Sequence, residues 1–293
     1  MRWSVPVRLS RWREVLAKAR AEGLWNMFLP DPKLGAGLSI VDYAQVARAI
    51  HRQLEAAGVE FRFGTRAESV SATSDGCRVH LGDDVVDARR AITCAGLWSD
   101  RLAQASGGGA DPRIVPFRGG YLQLRPRTEP FVRGMIYPVP DPTLPFLGVH
   151  ITKHIDSSVS LGPTAMMVPS RDGYTWRKFS ARDAWQTGTW PGTWRLARRY
   201  WRTGIHELSM ASSRKAFVRE AARYAPGLTV DDLDGTVHAG IRAQALGRDG
   251  ALVDDFVLAT DGAVTQVRNA PSPAATASLA IAREMVDRVL ASG

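Results

Sequence analysis

Two arginines stand in unusual company. Arg118 lies in Val115-Pro116-Phe117-Arg118-Gly119-Gly120-Tyr121, and Arg242 in Gly240-Ile241-Arg242-Ala243-Gln244-Ala245. Each sits between apolar residues and glycines in a predicted strand, where a charge needs a partner. A guanidinium fork matches a carboxylate bidentately, so capture of a carboxylate is the chemistry on offer. The competing reading, for most arginines of so basic a chain, is a solvated surface. His150 closes the run Ile136-Tyr137-Pro138-Val139-Pro140-Asp141-Pro142-Thr143-Leu144-Pro145-Phe146-Leu147-Gly148-Val149-His150. Its imidazole titrates close to neutral pH and so suits proton transfer. By pattern alone, a hydrogen-bonded histidine at a strand end is the stronger reading. Tyr121 is suited to hydrogen-bond a ligand or to pack in the sheet.

The end of the chain carries a different signal. An alternating run, Val264 and Val267, meets the turn Asn269-Ala270-Pro271-Ser272-Pro273 and then Ala274-Ala275-Thr276-Ala277. The prolines cannot donate ladder bonds, so they end the strand and fix the turn. A first helical turn of alanines lets a flat ligand reach backbone N–H groups and the positive end of the helix dipole. A tightly packed terminal helix fits the same letters. Earlier, a short apolar strand over Arg90 to Cys94 runs into Ala95-Gly96 and a helix from Leu97 to Ser106. Strand, small residues, then helix is the grammar of a nucleotide-binding α/β crossover. Gly107-Gly108-Gly109 follows a helix rather than a strand, so it reads as a linker and not as a phosphate loop. His51, His80, His154, His206 and His238 read as surface or structural. The sequence shows no metal constellation and no Ser-His-Asp or Cys-His arrangement.

The elements that must position these residues follow from periodicity. Trp12 to Trp25 has helical spacing on a basic background and reads as a surface helix rather than a targeting peptide. Leu29 to Leu38 is a Pro/Gly loop. Ser39 to Gly58 predicts a helix stopped by Gly58, followed by a strand through Val59, Phe61 and Phe63. Ser69 to Ala72 and Cys77 to Leu81 predict a hairpin around Ser74-Asp75-Gly76. Short strands follow at Ile114-Val115, Tyr121 to Leu124, Met135 to Val139, Phe146 to Ile151 and Val159 to Leu161, the pattern of an antiparallel sheet. Tyr174 to Tyr224 reads as helical, with a basic amphipathic piece from Trp194 to Arg202. That piece fits a solvated face or a membrane surface. Thr236 to Ala245 and Leu252 to Leu258 return to strands.

Composition narrows the class. The 293 residues are 45% hydrophobic, enough for one large domain or two ordinary ones. Two cysteines give no disulfide framework and fit a reducing cytosol. The formal charge of +9 is compatible with anionic partners. No zinc finger, RNA-binding aromatic signature or Lys/Arg block accompanies it, so nucleic acid is not an expected partner.

The four clusters around Arg118, Tyr137 to His150, Arg242 and Asn269 to Thr276, with Cys94-Ala95-Gly96-Leu97-Trp98-Ser99-Asp100, resemble the L-2-hydroxyglutarate oxidase/dehydrogenase family. That family consists of flavoproteins of the D-amino-acid-oxidase-like superfamily, and the resemblance spans about Ile40 to Val289. It implies an α+β fold: a Rossmann-like FAD domain with an inserted antiparallel-sheet substrate domain. Residues 1–112 and 234–293 would form the FAD part and 113–233 the substrate part. The family's opening βαβ unit, with its Gly-x-Gly-x-x-Gly turn, has no counterpart here, and Thr164 stands where the family usually has Asn. The resemblance implies oxidation of L-2-hydroxyglutarate, or a similar 2-hydroxy acid, to the 2-oxo acid. Oxygen or a membrane quinone would take the electrons, in the cytoplasm or at the inner-membrane surface. It implies His150 as base, Arg118 and Arg242 as carboxylate anchors and Tyr121 as a hydrogen-bonding partner. FAD would be held by Ala67, Ala95, Gly96, Gly240, Asn269, Ser272, Ala274, Ala275 and Thr276. An inactive remnant and a basic surface-binding protein are the alternatives.

Overall fold

Backbone pairing sorts the strands into three sheets. The computed structural model describes residues 51–126, 132–139, 148–154, 157–270, 274 and 278–291. Residues up to Gly64 and those from Thr65 onward form separate compact units. In the first unit residues 51–56 are helical, and the turn closes at Gly58, whose φ of 86° favours glycine. The strand expected at Val59 to Phe63 does not form. The Val59 N–H turns back to the Leu54 carbonyl (2.9 Å), the Phe61 and Phe63 rings stack at 5.8 Å, and no ladder among the described residues includes them. The expected Trp12 to Trp25 helix, the Leu29 to Leu38 loop and the first part of the Ser39 helix lie outside the described residues.

In the second unit the expected hairpin is present. β1 (Ser69–Ala72) pairs β2 (Cys77–Leu81) in register from Ser69↔His80 to Ala72↔Cys77, and β2 pairs a further strand, β3 (Asp84–Ala88). β4 (Ala91–Thr93) leads through Ala95-Gly96 and one 3-10 turn into α1 (Ser99–Ala105). The triglycine caps that helix: Gly107 has φ 82° and the Gly108 N–H donates to the Ala103 carbonyl at 2.8 Å.

One long ladder dominates the next sheet. β5 (Arg113–Leu124) is continuous where two short strands were expected, because β9 (Leu233–Leu246) pairs with it from Arg113↔Leu246 to Leu124↔Leu233. That pairing overrides the breaks that Pro116 and Gly119-Gly120 suggest locally. β6 (His150–Lys153), β7 (Val159–Gly162) and β8 (Met166–Met167) complete the sheet in the order β6-β7-β5-β8, with β9 on β5. The expected strand Met135 to Val139 shrinks to a single bridge, Ile136↔Ile151.

The helical tract begins later than its composition suggests. It comprises α2 (Ala181–Gly188), α3 (Pro191–Ser212, kinked at Tyr200) and α4 (Arg214–Ala221). Phe217, Val218 and Ala221 of α4 pack on Leu124, Ile151 and Leu161 of the sheet. β10 (Val257–Asp261) forms a hairpin with β11 (Val264–Asn269), and β11 pairs β4 in parallel. Every residue of β11 is buried, as a parallel strand covered on both faces requires. α5 (Ser278–Ala291) follows.

Candidate active site

Alternation along the β5–β9 ladder decides which side chains meet. Opposed residues share a face, and neighbours along a strand point to opposite faces. Tyr121 is opposite His238, Gly119 opposite Gly240 and Phe117 opposite Arg242, so these residues share one face. His150 of β6 is opposite Gly162 of β7, and a Cβ on Gly162 would lie 2.4 Å from Tyr121 Cδ1. Only glycine at 162 lets the Tyr121 ring lie across that backbone. His150, Tyr121, Gly240 and Arg242 are thereby gathered on one sheet face, and Gly240 and Arg242 are exposed.

The imidazole is held from two sides. The Tyr137 ring stacks on it at 4.5 Å and 27°, while Tyr121 meets it edge-on at 6.4 Å. His150 Nδ1 lies 3.3 Å from the Gly148 carbonyl, which can only accept, so Nδ1 carries the proton and Nε2 the lone pair. Burial pushes the His150 pKa below the ordinary imidazole value, and the Gly148 hydrogen bond draws it partly back. Burial, helped by Tyr137, raises the Tyr121 phenol, which stays a donor. A neutral base and a protonated phenol therefore share one surface.

Arg118 is on the other face, opposite Ile241. Its Nε donates to the Tyr174 carbonyl at 3.2 Å and its guanidinium lies 4.7 Å over the Trp176 ring. Burial lowers its pKa. The two arginines expected as paired anchors thus leave opposite faces of one ribbon, because 118 and 242 have opposite parity in this register. Thr164 ties down the turn beside Arg118: its hydroxyl accepts the Gly120 N–H at 3.0 Å and its N–H donates to the Gly120 carbonyl at 3.1 Å.

The carboxyl ends of the parallel pair β4 and β11 form a second locus, the place where open α/β sheets receive ligands. Ala95 and Gly96 follow β4. Gly96 has φ 52°, and a Cβ built there would meet nothing within 4 Å. Asn269 ends β11, and its Nδ2 donates to the carbonyls of Val253 (3.1 Å) and Asp255 (2.8 Å). That amide therefore fixes the chain around it. Ala274 sits half-buried in the following turn, whereas Ser272, Ala275 and Thr276 lie outside the described residues. Ala67 is exposed in the connector that enters β1.

Sequence reasoning missed the joint that ties these pieces together. Arg171 reaches Asp100 at the start of α1 through two hydrogen bonds, 2.5 and 2.8 Å, with both side chains about 2% exposed. Asp100 also accepts the Ile114 N–H of β5 at 3.1 Å. Asp183 of α2 accepts the Arg171 N–H at 2.8 Å and pairs with Arg101. An acid in the first turn of a helix was visible in the sequence, but its partner, 71 residues away, was not.

The chain itself is similar to known proteins. The model of the family "FAD dependent oxidoreductase" matches residues 10–288. The chain belongs to that family. Among curated proteins, it is 41% identical over 288 residues to the mitochondrial L-2-hydroxyglutarate dehydrogenase of Nematostella vectensis, covering 91% of this chain and 61% of that one. It is 38% identical over 244 residues to the L-2-hydroxyglutarate dehydrogenase of Indibacter alkaliphilus, covering 83% and 61%. The chain thus spans about three fifths of the length of these relatives. The fold is similar to that of the FAD-bound L-alpha-glycerophosphate oxidase of Mycoplasma pneumoniae (TM-score 0.57, 19% identity, covering 85% of this chain and 56% of that one).

Proposed function

We propose that this chain carries the substrate-facing part of an FAD-dependent site that oxidises L-2-hydroxyglutarate, or a similar 2-hydroxy acid, to the 2-oxo acid. The observation that carries this reading is the sheet face shared by His150, Tyr121, Gly240 and Arg242. The likeness to L-2-hydroxyglutarate dehydrogenases supports the substrate class.

FAD fits the residues present. Added Cβ atoms at Gly96 and Gly240 would project into open space, so the backbone at both places is bare to a ligand. Ala95, Gly96, Gly240, Asn269, Ser272, Ala274, Ala275 and Thr276 would hold the flavin end, and Ala67 the adenine end. Bound FAD supplies the acceptor for the hydride. Arg242 holds a substrate carboxylate, the Tyr121 phenol donates to the substrate, and His150 Nε2 takes the hydroxyl proton. Stacking on Tyr137 and the Gly148 carbonyl keep that lone pair aimed. Arg118 supports the site from the opposite face rather than clamping the same carboxylate.

Residues 1–112 and 234–293 constitute the FAD part in this reading and 113–233 the substrate part. Electrons pass on to oxygen or a membrane quinone. Two free thiols, Cys77 and Cys94, favour a reducing compartment such as the cytoplasm. Among the described residues no helix is long and apolar enough to cross a membrane.

The test is the visible spectrum of the purified chain after FAD is added, followed by dye reduction with L-2-hydroxyglutarate. Flavin bands and substrate-dependent bleaching are expected. A folded sample with no bound flavin would overturn the reading for this chain and leave an inactive relative.

A further inference from the structure

Glu207 is the one acid of α3, and it is half-buried. Its carboxylate accepts the Ala165 N–H at 2.7 Å. Burial raises the Glu207 pKa, and the Ala165 hydrogen bond opposes the rise. A partly desolvated carboxylate spent on one backbone N–H marks that N–H as a point worth holding.

Ala165 ends the short turn between β7 and β8. β7 pairs β5 at Leu122↔Leu161, and β8 pairs the same edge at Arg118↔Met166. Between those points β5 presents Gly119, Gly120 and Tyr121 to the turn instead of to a strand. Thr164 replaces the missing ladder there, bonding Gly120 through both its hydroxyl and its N–H. The fit is close on both sides. A Cβ on Gly119 would lie 2.9 Å from Pro163 Cβ, and one on Gly162 would strike the Tyr121 ring. The turn thus forms the seat of Tyr121, the residue that meets His150 edge-on. Thr164 fastens the middle of that seat to β5, and Glu207 fastens its far end to α3. Without Glu207 the Ala165 N–H loses its acceptor, and the turn loses its tie to the helix.

We propose that Glu207 is a positioning residue for the oxidation. Its carboxylate fixes the Gly162 to Ala165 turn and so holds the Tyr121 ring in place beside His150. The inference rests on the oxidation reading for its effect on turnover, but the placement of the two rings is measurable without turnover.

The experiment compares Glu207→Met, which keeps the length of the side chain but removes the carboxylate acceptor, with Glu207→Gln, which keeps an acceptor oxygen. The flavin-loaded proteins are assayed with L-2-hydroxyglutarate, and their histidine ring protons are followed by NMR. The His150 signal is identified by its absence from His150→Gln. Glu207→Met should lower kcat about 10- to 100-fold, the scale expected when a reacting group is misplaced from a distance. KM should hold, because Arg242 lies on β9 and not on the turn. The His150 signal should move in Glu207→Met, and Glu207→Gln should restore both signal and kcat. Should Glu207→Met misfold, Thr164→Val decides: it breaks the next link of the same chain and should lower kcat and move the His150 signal in the same way. A Glu207→Met protein with parental kcat and a parental His150 signal would overturn the proposal. So would a Glu207→Gln protein as impaired as Glu207→Met, since charge rather than the hydrogen bond would then be at work. A parent that does not oxidise the substrate would sink the oxidation reading alone, and the His150 signal would still decide whether Glu207 sets the rings.

Discussion

Asp100 and Arg171 meet in a joint about 2% exposed, while His150 and Tyr121 meet on a sheet face that stays half open. Both regions combine ionisable groups with close neighbours. In the joint each charge is answered: Asp100 takes Arg171 twice and two backbone N–H groups, and Arg171 also donates to the carbonyls of Leu97 and Ile114. On the open face the histidine has, among the described residues, one weak backbone partner and two ring contacts, and its remaining nitrogen is the one the proposed chemistry uses. A satisfied cluster holds position; an incompletely satisfied one can accept a proton. The joint links α1, β5, the segment around Arg171 and, through Asp183, α2, so it fixes the second locus relative to the sheet that carries the first.

The contrast can be broken from either side. Asp100→Ala leaves Arg171 buried without its partner, and the expected cost is about 3–5 kcal/mol by urea unfolding, enough to lose the fold. If Asp100→Ala unfolds at the same urea concentration as the parent, the joint is not what holds the elements together. His150→Gln should do the reverse. The flavin-loaded protein should lose roughly 10²- to 10⁴-fold in kcat/KM while its unfolding midpoint barely moves.

The pH dependence sharpens the same point. The base must be unprotonated, and burial depresses its pKa, so activity should persist into mild acid and fall only below the ordinary imidazole range. An acid limb at or above that range would exclude His150 as the base. Gly162→Ala perturbs the open face itself, since its Cβ would collide with the Tyr121 ring. A loss of about 1–3 kcal/mol is expected, with activity falling alongside. Tyr137→Leu is the mildest: stability should change by about 1 kcal/mol or less, and KM should hold while kcat drops a few-fold. Tyr137→Phe, which keeps the stacking ring, should restore kcat.

Much of this was legible in the letters. Ser74-Asp75-Gly76 between two short apolar runs specified the first hairpin, because turn chemistry is local. Apolar Arg90 to Cys94, then Ala95-Gly96, then a helix specified β4 and α1, and the clusters at Arg118, His150, Arg242 and Asn269 supplied the residues of the proposed site. The strand at Val59 to Phe63 failed for the opposite reason. A strand requires a partner, and periodicity alone does not supply one. Continuity of β5 through Pro116 and two glycines also came from a partner, β9, more than a hundred residues away.

The sequence by itself determined which residues could do chemistry here and what class of ligand their types suit. Tertiary structure alone decided how they are grouped. Register put Arg242 with His150 and sent Arg118 to the opposite face, because strand parity acquires meaning only once two strands are aligned. It also turned Asn269 toward the carbonyls of Val253 and Asp255, and brought Arg171 to Asp100. Those outcomes depend on contacts between distant segments, and no local propensity encodes them.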